Sequence, residues 1–170
     1  MENVEHLLKK LAIESIPEAL EKAHRYRLLN EPLEAESICL DILEVAPDNE
    51  EALVILILAL SDQFVNGLQP MYREAITLIK KLPDEYSKLY YEGVICERRG
   101  KASHRLQRPT SGHVACEWLQ KALSLYERAS ALSPAENADA DLRWNTVVRI
   151  LERFPEIRPD PAEWSQSFLE

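Results

Sequence analysis

The chain has 170 residues, of which 46% are hydrophobic, and a formal net charge of -9. This length and composition suit one domain whose apolar core needs neither disulfides nor metal. The negative charge repels phosphate groups, so the composition disfavours general binding to nucleic acids or anionic membranes. Four glycines are few for a β-rich fold, and the many good helix formers predict an all-α protein.

The sequence also indicates a compartment. Cys39, Cys96 and Cys116 are odd in number and lack CxxC spacing, which is typical of reduced thiols. Residues 1–15 lack the apolar core and cleavage site of a signal peptide. The longest apolar run, 52–60, is far shorter than the roughly 20 residues that cross a bilayer. We therefore expect a cytoplasmic protein without a membrane span.

Prolines, glycines and capping residues divide the chain into helices. Ser15 with Glu18, and Asp48 with Glu51, have the spacing of capping boxes at the starts of the first and third helices. A weaker helix is expected over residues 1–13. The other predicted spans are about 15–29, 32–45, 50–64, 70–82, 84–100, 114–132 and 137–154.

A pattern recurs in the second helix of three successive pairs. It reads Ala35-x3-Cys39-x2-Ile42-x4-Pro47, then Ala75-x3-Ile79-x2-Leu82, then Ala122-x3-Tyr126-x2-Ala129-x4-Pro134. The first helices add small, aromatic and turn residues at Ala23, Tyr26 and Asn30, and two glycines at Gly93 and Gly100. The pattern resembles the tetratricopeptide repeat over roughly residues 16–153.

This resemblance implies a right-handed α-solenoid of antiparallel helix pairs, with about three pairs and a capping helix. We expect a helical domain over residues 1–154, with a basic insertion at 100–113, and a proline-containing tail at 155–170. In this family the first helix of each pair supplies a concave surface that binds a protein or peptide. The repeat frame places these residues on it: Leu20, His24, Arg27, Val54, Leu58, Tyr90, Val94, Arg98 and Asn145.

Such a surface has an apolar middle and basic edges, which suits a peptide with apolar anchors and some acidic character. Alternatively, its apolar members simply pack against neighbouring helices. Relatives that hold the C-terminal carboxylate of chaperones use a Lys and Asn pair, where this chain has Leu20 and His24. We therefore do not expect chaperone-tail binding.

Residues 98–113 carry five basic and no acidic side chains. We expect a long loop after Gly100, which either binds an acidic partner, a phosphorylated segment or RNA, or is solvated and pairs with the acidic body. The segment contains no aromatic residue for base stacking, so nucleic acid is disfavoured. Its candidate binding residues are Arg99, Lys101, Arg105 and Arg108.

The sequence gives little support to catalysis. Cys96, His104, His113 and Cys116 could be drawn as metal ligands, but their spacing is irregular and we expect no metal. There is no Ser, His and acid grouping, glycine-rich phosphate loop or HExxH pattern. We therefore expect no catalytic residues and no cofactor.

The tail is expected to be extended over 155–161. Trp164 and Phe168 lie four residues apart, which suits a short helix that covers the last hairpin or enters a groove of a neighbouring copy. The sequence thus predicts a protein-binding scaffold. The alternatives are a homo-oligomeric structural subunit and, less favoured, a polyanion or RNA binder.

Overall fold

The computed structural model describes residues 7–64 and 68–160, which contain seven α-helices, one short 3-10 helix and no strand. The helices are α1 (Ile16–Leu28), α2 (Pro32–Val45), α3 (Glu50–Asp62), α4 (Leu68–Ile79), α5 (Glu85–Arg105), α6 (Ser111–Leu132) and α7 (Asp139–Arg153). The all-α class is confirmed for these residues, while the right-handed solenoid stays a prediction. None of these helices is both long enough and apolar enough to cross a bilayer.

Two helix predictions are wrong. Residues 7–12 are not helical, although they belong to the expected N-terminal helix. Gly100 does not end α5, which continues through it to Arg105. The predicted basic insertion is therefore mostly helical, and only residues 106–110 connect α5 to α6.

The helices begin close to the predicted residues, but the predicted side chains do not make the capping hydrogen bonds. Ser15 is the N-cap of α1, but its side chain makes no capping hydrogen bond. At the start of α3 the Oδ1 atom of Asn49 accepts a hydrogen bond of 2.9 Å from the Ala52 amide, so Asn49 and not Asp48 has the capping role. Asn30 has a φ of 61°, as expected for the residue that separates α1 from α2.

The contacts divide the chain into two compact units, one ending at Ala59 and the other beginning at Leu60. In the first unit α1 packs against α2. The apolar positions of α1 recur at helical spacing, so one side of this helix is buried. The buried residues of the two helices are Ile16, Ala19, Leu20, Ala23, Ala35, Cys39 and Ile42.

The repeated pattern marks buried positions. Its residues on α2, on α6 and on or just after α4 are between 0 and 5% exposed. Each of the three copies begins with an alanine and contains at least one large side chain, so small and large residues combine in the close packing of neighbouring helices. These positions are Ala35, Cys39, Ile42, Ala75, Ile79, Leu82, Ala122, Tyr126 and Ala129.

In the second unit α5 packs along α6, and α4 and α7 pack against this pair. Two glycines of α5 allow the close approach. A Cβ atom on Gly93 would lie 2.6 Å from a ring carbon of Tyr126, and one on Gly100 would lie 2.9 Å from Leu119 Cγ. Glycine costs about 1 kcal/mol in a helix interior. Here close packing against α6 outweighs that cost, and the helix continues through Gly100.

A buried carboxylate joins the three helices α5, α6 and α7. Glu97 is 0% exposed. It accepts hydrogen bonds from Lys101 on its own helix, from the Tyr126 hydroxyl at 2.7 Å and from the Arg143 guanidinium at 3.3 Å. Burial and the adjacent carboxylate raise the pKa of Tyr126 far above its usual range, so the hydroxyl stays protonated and donates. These partners offset the cost of burying the charge of Glu97.

Replacing Glu97 should therefore destabilise the second unit. We expect Glu97→Gln to lower the free energy of unfolding by about 2 to 3 kcal/mol, because it removes the charge that pairs with Lys101 and Arg143. Urea unfolding followed by circular dichroism measures this. The control is Glu92→Gln, which breaks only the partly exposed pair with Lys121 and should cost less than about 1 kcal/mol. Equal losses in the two variants would contradict a special role for Glu97.

Candidate functional site

The predicted concave residues of the first unit differ in exposure. Leu20 is buried, whereas Arg27, Val54 and Leu58 are half-buried. His24 is exposed, and its Nε2 atom lies 3.1 Å from a carboxylate oxygen of Glu51 on α3. His24 is thus already paired within this unit.

In the second unit most of the predicted concave residues have structural contacts. Val94 is buried in the core. Tyr90 stacks on Tyr86 and lies near Tyr126 in an aromatic cluster. Arg98 pairs with Asp62 at 2.7 Å.

Asn145, the last predicted member, is exposed on α7. The predicted surface draws on both units, and it stays a prediction.

Two of the four predicted basic residues stabilise the fold. The guanidinium carbon of Arg99 lies 4.2 Å from the ring centroid of Tyr72 on α4 and 4.1 Å from that of Trp118 on α6. Such cation–π contacts link α5 to both neighbouring helices. Lys101 pairs with the buried Glu97. These two cations therefore have partners inside the unit. Pairing with acidic residues of the body was one of the two expectations, but contact of Arg99 with aromatic rings was not.

The other two basic residues, Arg105 and Arg108, are exposed at the α5–α6 turn. The turn is tight, because Gln107 has a φ of 50° and the Arg108 amide donates a 3.0 Å hydrogen bond to Ser111 Oγ. The Ser111 amide donates in return to the Arg108 carbonyl at 2.9 Å. These bonds fix the backbone that carries the two arginines.

A cavity of about 500 Å³ opens beside this turn, and we call it the turn cavity. Two arginines and two histidines face it, and Glu156 is the single acid among its described lining residues. Its lining is His104, Gln107, Arg108, Pro109, Ser111, Gly112, His113, Phe154, Glu156 and Arg158. A smaller cavity of about 280 Å³ adjoins it at His104 and Phe154, and has an apolar wall of Leu119, Ile150 and Ile157.

The segment after α7 forms one side of the turn cavity, and we call residues 154–160 the C-terminal segment. It turns at Pro155 and Glu156, where the Ile157 amide donates to the Phe154 carbonyl at 2.9 Å. It then continues without helix through Asp160. The predicted pair Trp164 and Phe168 lies outside the described residues.

Four contacts hold the C-terminal segment on the α5–α6 turn. Ile157 is buried. The backbone carbonyl of Glu156 approaches Gly112 so closely that a Cβ atom on Gly112 would overlap it. His113 Nδ1 lies 2.8 Å from the Arg158 carbonyl oxygen, and His104 Nε2 lies 2.9 Å from Glu156 Oε1.

The electrostatics of the cavity favour an ionised Glu156. A hydrogen bond from its own backbone and one from His104 hold the pKa of its carboxyl group below the usual range. At neutral pH the side chain is therefore a carboxylate among basic neighbours. The sequence missed Glu156 and Arg158 as site residues, because only the path of the C-terminal segment brings them to the turn.

The four residues that could be drawn as metal ligands are not placed together as one ligand set. Cys96 and Cys116 are buried in the core, while His104 and His113 line the turn cavity and contact the C-terminal segment. Within residues 7–64 and 68–160 no group of three or more His, Cys, Asp or Glu side chains is placed to hold a metal ion.

Comparisons with protein-family models, with curated proteins and with solved structures give no match for this chain. The resemblance to the tetratricopeptide repeat therefore stays a prediction from the residues quoted above.

The buried thiols should be unreactive in the folded protein. Burial raises the pKa of Cys39 and of Cys96 from 9.0 to about 12, which lowers the thiolate fraction at neutral pH by about a thousandfold. Ellman's reagent should therefore react slowly with the native chain and rapidly in urea. Fast labelling of Cys39 or Cys96 without urea, identified by mass spectrometry, would contradict this burial.

The same pKa values predict the direction in which the free energy of unfolding changes with pH. Below pH 9 both thiols are protonated whether or not the chain is folded. Between pH 9 and about 12 the unfolded chain loses these protons and the folded chain keeps them. The free energy of unfolding should therefore fall as the pH rises through this range.

Proposed function

We propose that this chain is a helical protein-interaction module that binds an acidic segment of a partner protein at the turn cavity. The observation that carries the proposal is a cavity with basic walls on a chain whose net charge is -9. In this reading the chain is a non-catalytic cytoplasmic adaptor built from tetratricopeptide-like helix pairs.

Charge complementarity supports an acidic ligand. Arg108 and Arg158 line the cavity, and the guanidinium group of an arginine can bind a carboxylate through two parallel hydrogen bonds. His104 and His113 line the same cavity, and one ring nitrogen of each contacts the C-terminal segment. A positive site of this kind attracts an acidic partner and repels basic ones, so it contributes specificity as well as affinity.

The adjoining cavity supports a more specific ligand. Its wall combines Leu119, Ile150 and Ile157 with the ring of Phe154, and apolar residues bind such pockets as anchors. Because this cavity also touches the exposed Arg105, an apolar residue next to an acidic one would suit it. We therefore propose a ligand in which a large apolar side chain neighbours carboxylates.

Nucleic acid is a weaker proposal. Arg99 and Lys101 have partners within the unit, which leaves Arg105 and Arg108 as the exposed cations of the predicted four. The ring of Trp118 is in contact with Arg99, so that face is not open for base stacking. The overall negative charge also opposes a polyphosphate chain.

Reversing the charge of the turn should weaken binding. The probe is a fluorescein-labelled decapeptide with four glutamates around one leucine, and the readout is fluorescence anisotropy. We expect Arg105→Glu/Arg108→Glu to weaken binding at least tenfold, since hydrogen bonds between charged groups contribute about 1.5 to 3 kcal/mol. The matched control is Lys80→Glu/Lys81→Glu, which makes the same charge change at exposed positions after α4 and should bind like the wild type.

Two other results would overturn the proposal. If a folded Arg105→Glu/Arg108→Glu variant binds the peptide as well as the wild type does, the peptide site is not at the turn. The predicted concave residues would then be tested next. Tighter binding of a single-stranded RNA of equal length, lost steeply with added salt, would favour a polyanion site instead. Circular dichroism confirms that each variant is folded.

A homo-oligomeric subunit is a second candidate function, and the surface of α7 favours it. Leu142 is 62% exposed on this helix, and a second copy of the chain would remove this apolar side chain from water. Trp144, 38% exposed, lies two residues on and therefore on a different side of α7. Sedimentation equilibrium should then give a mass above 19.5 kDa that rises with concentration, and Leu142→Glu should return it to the monomer mass. A monomer mass for the wild type at all concentrations would exclude this candidate.

A further inference from the structure

We propose that the Glu156 carboxylate is an internal competitor for the turn cavity, and that an acidic ligand displaces this side chain while the backbone of the C-terminal segment stays in place. The inference rests on the proposed function, because it concerns the regulation of the same site. Three observations carry it: the place of the carboxylate, the anchoring of the backbone and the weak hold on the side chain.

The place of the carboxylate is that of a ligand. Glu156 is the one acid among the described residues of a cavity that Arg108, Arg158, His104 and His113 also line. Its Oε1 atom pairs with His104 Nε2 at 2.9 Å. A carboxylate from a partner that binds His104 would take the place of the Glu156 carboxylate, so the two compete for this contact.

The backbone of the C-terminal segment is anchored independently of this carboxylate. The Ile157 side chain is buried, and the Arg158 carbonyl lies 2.8 Å from His113 Nδ1. The Glu156 carbonyl also packs against Gly112, where only a residue without a Cβ atom leaves enough room. These contacts would remain if the Glu156 side chain rotated into solvent.

The hold on the side chain itself is weak. The side chain of Glu156 is 59% exposed, and that of His104 is 26% exposed. Water screens an exposed pair of this kind, which typically contributes little to stability. Exchanging one carboxylate for another at His104 therefore costs little, and the cavity need not unfold to admit a ligand.

The test is Glu156→Gln, with the same fluorescein-labelled decapeptide of four glutamates and one leucine. Removing the competing charge should tighten binding by about three- to fivefold, which is the range an exposed ion pair can supply. The matched control is Glu152→Gln, which removes one negative charge from an exposed position on α7 outside the cavity lining. It reports the effect of net charge alone, so the inference requires a larger gain from Glu156→Gln.

The outcomes separate this inference from the proposed function. One set of results would keep the proposed function and overturn the competitor. In it, the wild type binds the peptide, Arg105→Glu/Arg108→Glu weakens this binding at least tenfold, and Glu156→Gln and Glu152→Gln bind with equal affinity. Weaker binding by Glu156→Gln would also overturn it, since Glu156 would then assist the ligand. Absence of peptide binding by the wild type and by Glu156→Gln would overturn both.

Discussion

The close approach of α5 and α6 is the constraint on which the second unit depends. Gly93 and Gly100 lie where a Cβ atom would collide with Tyr126 or Leu119, so any larger residue would push the two helices apart. Because α4 and α7 both pack against this pair, its spacing sets their positions as well. The candidate site lies at one end of α5 and α6, beside residues 106–110, so the spacing of these two helices also sets the geometry of the site.

Polar contacts then fix how the helices face one another. Glu97 points into the core and binds groups from α6 and α7, while Arg99 reaches the aromatic rings of α4 and α6. A buried carboxylate with only one arrangement of donors favours a single packing of the helices, whereas apolar contacts alone tolerate several. We infer that these side chains specify the arrangement that the glycines permit.

The sequence predicted much of the fold and less of the site. Prolines and the residues beside them act locally, so α2 begins at Pro32 and ends at Val45 as expected. Gly100 was misread because local propensity argues for a helix end, while the packing that keeps it helical comes from Leu119 on another helix. Contacts between residues distant in the chain are invisible to such local patterns.

Contacts between distant residues also explain why the roles of the basic residues were only partly predicted. Arg105 and Arg108 were correctly placed at the surface of a basic segment, although the segment is a helix end and turn instead of a long loop. The roles of Arg99 and Lys101 depend on Trp118 and on a buried glutamate, and burial of a charged residue runs against the usual statistics. The sequence around Glu156 does not indicate that its side chain contacts His104.

Because the C-terminal segment lines the turn cavity, the cavity is completed late in synthesis. A ribosome synthesises the α5–α6 turn before residues 154–160, and both belong to one compact unit, which is expected to fold as a whole. Before residues 154–160 exist, the cavity lining lacks Arg158 as well as Phe154 and Glu156. A truncated chain that ends after α7 therefore has neither the Glu156 carboxylate nor the second arginine of the cavity, and only a chain that reaches Arg158 has the whole lining.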